Sequence, residues 1–580
     1  SVALGVTLAY ALARRGVQRA RTWHVGLGLT VALGSAVFDL GLHPQFYHYS
    51  HVWGGMLGPI YDEDLAVRPG LFAFRGVTLL WAALCVAVGR RHLRATGLVL
   101  LALGGAYAFR GPLGFNTLPA TLHRALGPPL RTPHFDLYGE GLTPQEAEYR
   151  YAWLAARLGT WPRQRVEVFV YPNVATKRRL TGAGHTSVAP VWLATPQVHL
   201  VREAVEAHFG HELVHAFSRA FGLPILKASR HVGLVEGLAV AFEPPDGVPG
   251  PHAQVSAAAL AAGDTLLARR MARALGAGGF WTGRGAVSYT TMGSFVQHLA
   301  ARYGTARLRD IYARGNFEQV YGRPVQALAD EWQRYVLHDL SRVGLGAGPL
   351  ATARFSVPSL FERPSPHYVP SYVRCTEEAV VLLGRGDTLR ALTSLEAALR
   401  QAPAYVPALD LWARLRLARG ETRFVVGRLR AASLPVLDAR LGDAWAMLGQ
   451  PDSARARYRL ARRRVPAYAH EQAALLWLRE AHAASPEAIR ALYRSPLPVQ
   501  ACGADVSRMV PAHPFEPALP WPKPDSLPGL AARMEAVRTA WAGRCEEAAR
   551  QFQRLGDEDA AAYWRDWAAA ARFSIPSIVR

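Results

Sequence analysis

Four apolar stretches dominate the first 110 positions: Ser1–Leu12, Trp23–Leu42, Leu71–Gly89 and Ala95–Phe109. A helix needs roughly 20 apolar residues to cross a bilayer, so the second and third are of spanning length and the fourth is a short companion. The first starts abruptly without Met, which reads as a cut spanning helix or a signal-like segment. About four spans are expected over positions 1–112. Basic residues flank them unevenly. Arg14, Arg15, Arg19 and Arg21 lie between stretches one and two, and Arg90, Arg91 and Arg94 between three and four. The intervening loop carries Asp62, Glu63 and Asp64, with Arg68 as its only Arg or Lys. The positive-inside rule makes the two basic loops cytoplasmic, so everything after Arg110 is expected on the extracytoplasmic side.

Beyond the spans the periodicity changes. Pro144–Leu158 has a helical pattern, with Thr143 as N-cap, Pro144 in the first turn and Glu146 three residues after the cap. Arg165–Tyr171 alternates like a strand, as does Val188–Val201 in pieces broken by Pro190 and Pro196. From about Tyr368 the chain reads as helix pairs. Gly386-Asp387 and Gly420-Glu421 sit 34 residues apart at equivalent turns, and Pro403, Pro435 and Pro466 follow at intervals of 32 and 31. That period is similar to tetratricopeptide repeats over 366–480. Leu497–Leu527 reads as a linker, and further helices are expected over 527–573.

Charge and cysteine content narrow the picture. The net charge is +22 over 580 residues. The Arg residues are scattered, with no zinc-knuckle spacing and no basic stripe interleaved with stacking aromatics, so nucleic acid is not expected as a partner. Cys85, Cys375, Cys502 and Cys545 form no CxxC pair, which argues against a cysteine zinc site. Cys502 and Cys545 are candidates for a disulfide outside the cytoplasm.

The chemistry is concentrated in Glu203–Ala220, which contains His211-Glu212-Leu213-Val214-His215. Residues four apart share a helix face, so both histidines can present a ring nitrogen to one metal ion. Glu212, rotated about 100° away, is placed to accept a proton from water beside that ion. Val205, Phe209, Leu213, Ala216 and Ala220 make an apolar stripe, and Phe221-Gly222-Leu223-Pro224 is a stop. The five-residue pattern alone is not decisive. A second helical segment beginning near Ser229 carries Glu236-Gly237-Leu238-Ala239, with Glu236 after 20 intervening residues. That is enough for a loop and a returning helix that brings a carboxylate to complete a His₂Glu site. His231 is the alternative third ligand, disfavoured by its five-residue offset from Glu236.

At this point the chain resembles the gluzincin zinc metallopeptidases, especially their aminopeptidase-like branch. The resemblance covers roughly Phe135–Tyr303. It implies an α+β zincin-type domain over 130–350, with Zn²⁺ held by His211, His215 and Glu236 and with Glu212 as general base. It also implies that Tyr289, in Tyr289-Thr290-Thr291-Met292-Gly293, opens a helix and donates its hydroxyl to an oxyanion. The thermolysin branch carries Asp four residues after the Glu ligand; here that position is Val240. The family's exopeptidases bind the substrate amino group through a Gly-x-Met-Glu-Asn strand. This chain has Gly182-Ala183-Gly184-His185-Thr186-Ser187 instead, so an endopeptidase is expected. An intramembrane protease is excluded, because Arg202, Glu203, Glu206 and Arg219 flank the motif and would be costly in lipid.

The expected fold is therefore multi-domain, with N-terminal transmembrane helices, an α+β zincin-type peptidase domain and all-α C-terminal helical repeats. The expected function is hydrolysis of a peptide or protein substrate by a zinc peptidase anchored in membrane lipid. The competing reading is a catalytically idle membrane-anchored scaffold whose repeats bind partner proteins.

Overall fold

The computed structural model describes the chain apart from residues 55, 59–66, 244–250, 264–265, 340–368, 431–434, 465–475, 477–478, 494–531, 533–534, 537–538, 540–543, 559, 563, 566–567 and 569–580. The described residues are mostly helical, with one small mixed sheet and a short two-stranded ribbon. The acidic run Asp62–Asp64, the 497–527 linker, Pro466 and Cys502 lie outside the described residues.

The apolar stretches form helices α1 (Val2–Arg14), α2 (Ala20–Leu42), α3 (Pro69–Gly89) and α4 (Leu93–Ala108). Only α2 and α3 are long and apolar enough to cross a membrane; α1 and α4 are shorter apolar helices. At 1.5 Å per residue, α2 and α3 extend roughly 32–35 Å, a bilayer's hydrocarbon thickness. Gly89 packs against the Tyr10 ring, which brings the C-terminal ends of α1 and α3 together. All seven Arg residues of the two basic loops therefore gather at one end. A polar cluster closes the other end. There Asp39 bonds His48 and Asn116, each at 2.8 Å, and His51 bonds Thr78 at 2.8 Å. The ribbon of β1 (His48–Tyr49) and β2 (Met56–Leu57) lies at this end.

After α5 (Pro119–Leu126), strands β3 (Leu130–Arg131), β4 (Phe135–Tyr138), β5 (Val166–Tyr171) and β6 (Gln197–Val201) lie side by side in that order. The first pair is antiparallel and the next two are parallel, with Phe135 opposite Val166 and Phe169 opposite His199. Parallel neighbours need crossovers, and α6 (Pro144–Leu158) and α7 (Val174–Thr181) supply them. The Thr143 hydroxyl accepts from the Glu146 amide at 3.2 Å, the cap expected for that helix. Only Gln197–Val201 of the 188–201 segment is strand. Val188 contributes a single bridge to His199, because Pro190 and Pro196 withhold the amides a longer ladder needs.

Helices then follow in a packed layer: α8 (Val205–Ser218), α9 (Val232–Phe242), α10 (Pro251–Ala262), α11 (Leu267–Leu275), α12 (Ala277–Thr282), α13 (Gly285–Tyr303) and α14 (Thr305–Tyr312). One core joins the sheet to this layer, with Val166, Val168 and Leu200 meeting Phe209 and Leu213 of α8 and Leu238 of α9. Six helices, Ser371–Gly384, Thr388–Gln401, Val406–Ala418, Thr422–Leu429, Pro435–Met447 and Pro451–Arg464, share a separate core to which the short helix Pro486–Ala491 adds Ile489. They form three hairpins whose turns hold Gly386, Gly420 and Gly449 at φ of +79°, +74° and +72°. Left-handed backbone at the end of a helix is where glycine carries no Cβ penalty.

Candidate metal centre

The α8 helix presents His211 and His215 one turn apart, facing the layer of α9 and α13. Its opposite face is anchored in the core shared with the sheet through Phe209 and Leu213, both fully buried. Glu236 comes from α9, which runs back past α8. The helix begins at Val232 rather than Ser229, and His231 is its N-cap residue. The His231 side chain turns toward the backbone carbonyl of Arg314, so it takes no part in the cluster.

What delivers Glu236 is close packing. A β-carbon at Gly237 would come within 2.9 Å of the Met292 carbonyl oxygen, and one at Gly293 within 2.2 Å of a Val240 methyl. Only glycine lets α9 and α13 approach this closely. Val240, the position where a thermolysin-type Asp would stand, is thus a packing residue.

Among the described residues, His211, His215 and Glu236 form the one group able to share a metal ion, with their ligand atoms all within 4.8 Å of one another. Glu236 Oε2 lies 3.4 Å from His211 Nε2 and 3.6 Å from His215 Nε2. Ligand atoms held about 2.0–2.2 Å from a tetrahedral ion sit roughly 3.3–3.6 Å apart, so the two carboxylate–imidazole spacings fit such an ion.

The electrostatics favour a cation. Burial opposes a charge on His211, but hydrogen bonds to Glu236 and Glu243, with Glu212 close by, raise its pKa well above the usual histidine value. Burial likewise opposes the Glu236 carboxylate, and the charges and hydrogen bonds of His215 and His211 outweigh it, holding its pKa well below the ordinary range. Glu212 is buried beside the cluster, and its charge bears on both His208 and His211. The His215 Nδ1 is buried without a hydrogen-bond partner among the described residues.

Glu243 is the residue that sequence reasoning missed. It follows the last turn of α9, and its Oε2 lies 3.0 Å from His211 Nδ1. Seven residues separate it from Glu236, about two helical turns, so it returns to the same face. That spacing was the available signal.

Tyr289 stands one turn inside α13, which begins at Gly285 rather than at the tyrosine. Its ring centroid is 6.4 Å from that of His211 and 5.0 Å from that of Phe280. In the 182–187 segment, Ser187 bonds His208 at 2.8 Å and His185 pairs with Glu377 of the helix Ser371–Gly384. No protein-family model, curated protein or solved structure matches this chain.

Proposed function

We propose that this protein is a membrane-anchored zinc metallopeptidase of the gluzincin kind. The observation that carries the reading is the convergence of two histidines from one helix and a carboxylate from a second, at spacings that suit a tetrahedral zinc ion. Glu212 beside them is the fourth residue the chemistry needs. His211, His215 and Glu236 would hold the ion. When bound, zinc supplies Lewis acidity that polarises a peptide carbonyl and makes water a better nucleophile.

The remaining work belongs to the chain. Glu212 accepts the proton released as water attacks and returns it to the departing amine. The Tyr289 hydroxyl donates to the oxyanion that forms on the substrate carbonyl. The α8–α9 pair beneath a mixed sheet supports a zincin-type domain over 130–350, and the three Gly-turn hairpins support tetratricopeptide-like repeats. The clustering of basic residues at one end of α1–α4 supports a cytoplasmic placement of that end, with the catalytic domain on the other side. The segment 183–187 beside α8 carries no carboxylate to bind a free amine, which supports an endopeptidase.

The deciding experiment is Glu212→Gln in the purified full chain. Zinc content should stay near one per chain while peptide hydrolysis falls about 10²–10⁴-fold, the usual cost of losing a general base. His215→Ala or Glu236→Ala should instead lose the metal. N-terminally blocked peptides should be cut as well as free ones. Full activity in the Glu212→Gln protein would overturn the peptidase reading, and unchanged cellular function in that variant would favour the scaffold.

A further inference from the structure

Helices α1 to α4 do not close on one another. Between them lies a cavity of about 910 Å³, extending from Arg15 and His24 at the basic end to Asp39, Arg110 and Asn116 at the other. Gly5 of α1 and Gly28 and Gly34 of α2 line it, and a β-carbon at any of the three would have no neighbour within 4 Å. The space opens to the surroundings of the helices along Val31 and Gly34, both exposed, so it can admit an occupant from outside the described residues.

The middle of the cavity is lined by Leu8, Val31 and Leu84, which offer water no partners. That apolar stretch, roughly 22 Å long from His24 to Asp39 along α2, suits hydrocarbon chains.

The far end adds a specific demand. Asn116 is only 3% exposed, and its amide nitrogen is used on Asp39 at 2.8 Å and on Gln45 at 3.3 Å. Its carbonyl oxygen is buried with no hydrogen-bond partner among the described residues. A buried acceptor left unpaired is costly, so this oxygen calls for a donor. Arg110 also lines this end, with two of its nitrogens engaged on His43 and on the Tyr107 carbonyl. One end of an apolar cavity thus offers an acceptor next to a carboxylate, and a cation.

We propose that the cavity binds one phospholipid whose head carries both a phosphate and a primary ammonium group. Its phosphate meets Arg110, its N–H donors meet Asn116 and Asp39, and its chains run between α2 and α3 past Gly34 and Gly28. The proposal rests on these helices lying in a bilayer and is independent of the peptidase reading.

The test uses the full chain purified in mild detergent. Native mass spectrometry should find about one phosphatidylethanolamine per chain. Added phosphatidylethanolamine should raise the melting temperature more than phosphatidylcholine, which has no N–H donor, or phosphatidylglycerol, which has no cation. A Gly28→Leu/Gly34→Leu double substitution fills the cavity with good helix formers and should abolish the bound lipid while helical content is retained. If that variant fails to insert, Arg110→Gln reads the head alone and should erase the preference among the three lipids. Equal stabilisation by all three lipids, lipid content unchanged in the filled variant, or a co-purifying polypeptide in place of lipid would overturn the proposal.

Discussion

Glu243 Oε2 lies 3.0 Å from Nδ1 of His211, on the far side of the ring from Glu236. A proton on Nδ1, donated to Glu243, leaves Nε2 its lone pair for a metal and fixes the ring's orientation. Partners of this kind typically change metal affinity 10–100-fold. Glu243→Gln should therefore weaken zinc binding by about that factor, measured by competition with a chromophoric chelator. Unchanged affinity would mean the contact is incidental.

The approach of α9 to α13 gives a second outcome to check. Adding even one methyl at Gly293 drives it into Val240, and overpacking of a core typically costs about 1–3 kcal/mol. Gly293→Ala should lower the urea midpoint and reduce zinc content together, because α9 can relieve the clash only by carrying Glu236 away. Gly285→Ala on the same helix, where nothing stands within 4 Å of the new carbon, should do neither.

The gathering of the basic loops at one end of α1–α4 sets the expected membrane orientation. An alkaline phosphatase reporter, active only outside the cytoplasm, should be active when fused after Pro129 and silent when fused after Arg91. Reversed signals would invert the topology.

Acid should destabilise the sheet-and-helix core around the metal-ligand cluster through His199. This residue is fully buried on β6, stacked on Phe169 and bonded to the Tyr171 hydroxyl at 2.9 Å. Burial, with help from the Lys177 charge, pushes its pKa down to about 3. The unfolded chain, with histidine near 6.5, then binds the proton first. Stability is full above pH 6.5 and is lost as pH falls from there toward 3, by on the order of 4 kcal/mol. His199→Gln should flatten this part of the urea-midpoint profile, and a parallel profile in wild type and variant would refute the assignment.

Much of the architecture is written in local pattern. Thr143 and Glu146 mark the start of α6, and the alternation in Val166–Tyr171 marks a strand. The four-residue offset of His211 and His215 puts both on one face of any helix they occupy. Gly386 and Gly420 announce two of the three C-terminal hairpin turns; Gly449 makes the third at a shorter interval, which a strict period overlooks. Element boundaries were less legible. Whether α9 starts at Ser229 or Val232, and α13 at Tyr289 or Gly285, depends on which residues the neighbouring helices cover.

The sequence by itself determined which side chains could do the chemistry: a His-Glu-x-x-His helix, a Glu-Gly helix beyond it and two apolar helices of spanning length. Tertiary structure decided which of these meet. Glu236 reaches the histidines because Gly237 and Gly293 let two helices touch, and Glu243 joins because α9 ends beside His211. The cavity exists because α2 stands off from its neighbours. Each of these depends on contacts between residues far apart in the chain. Periodicity reports only which face a residue occupies, and packing alone selects the face it meets.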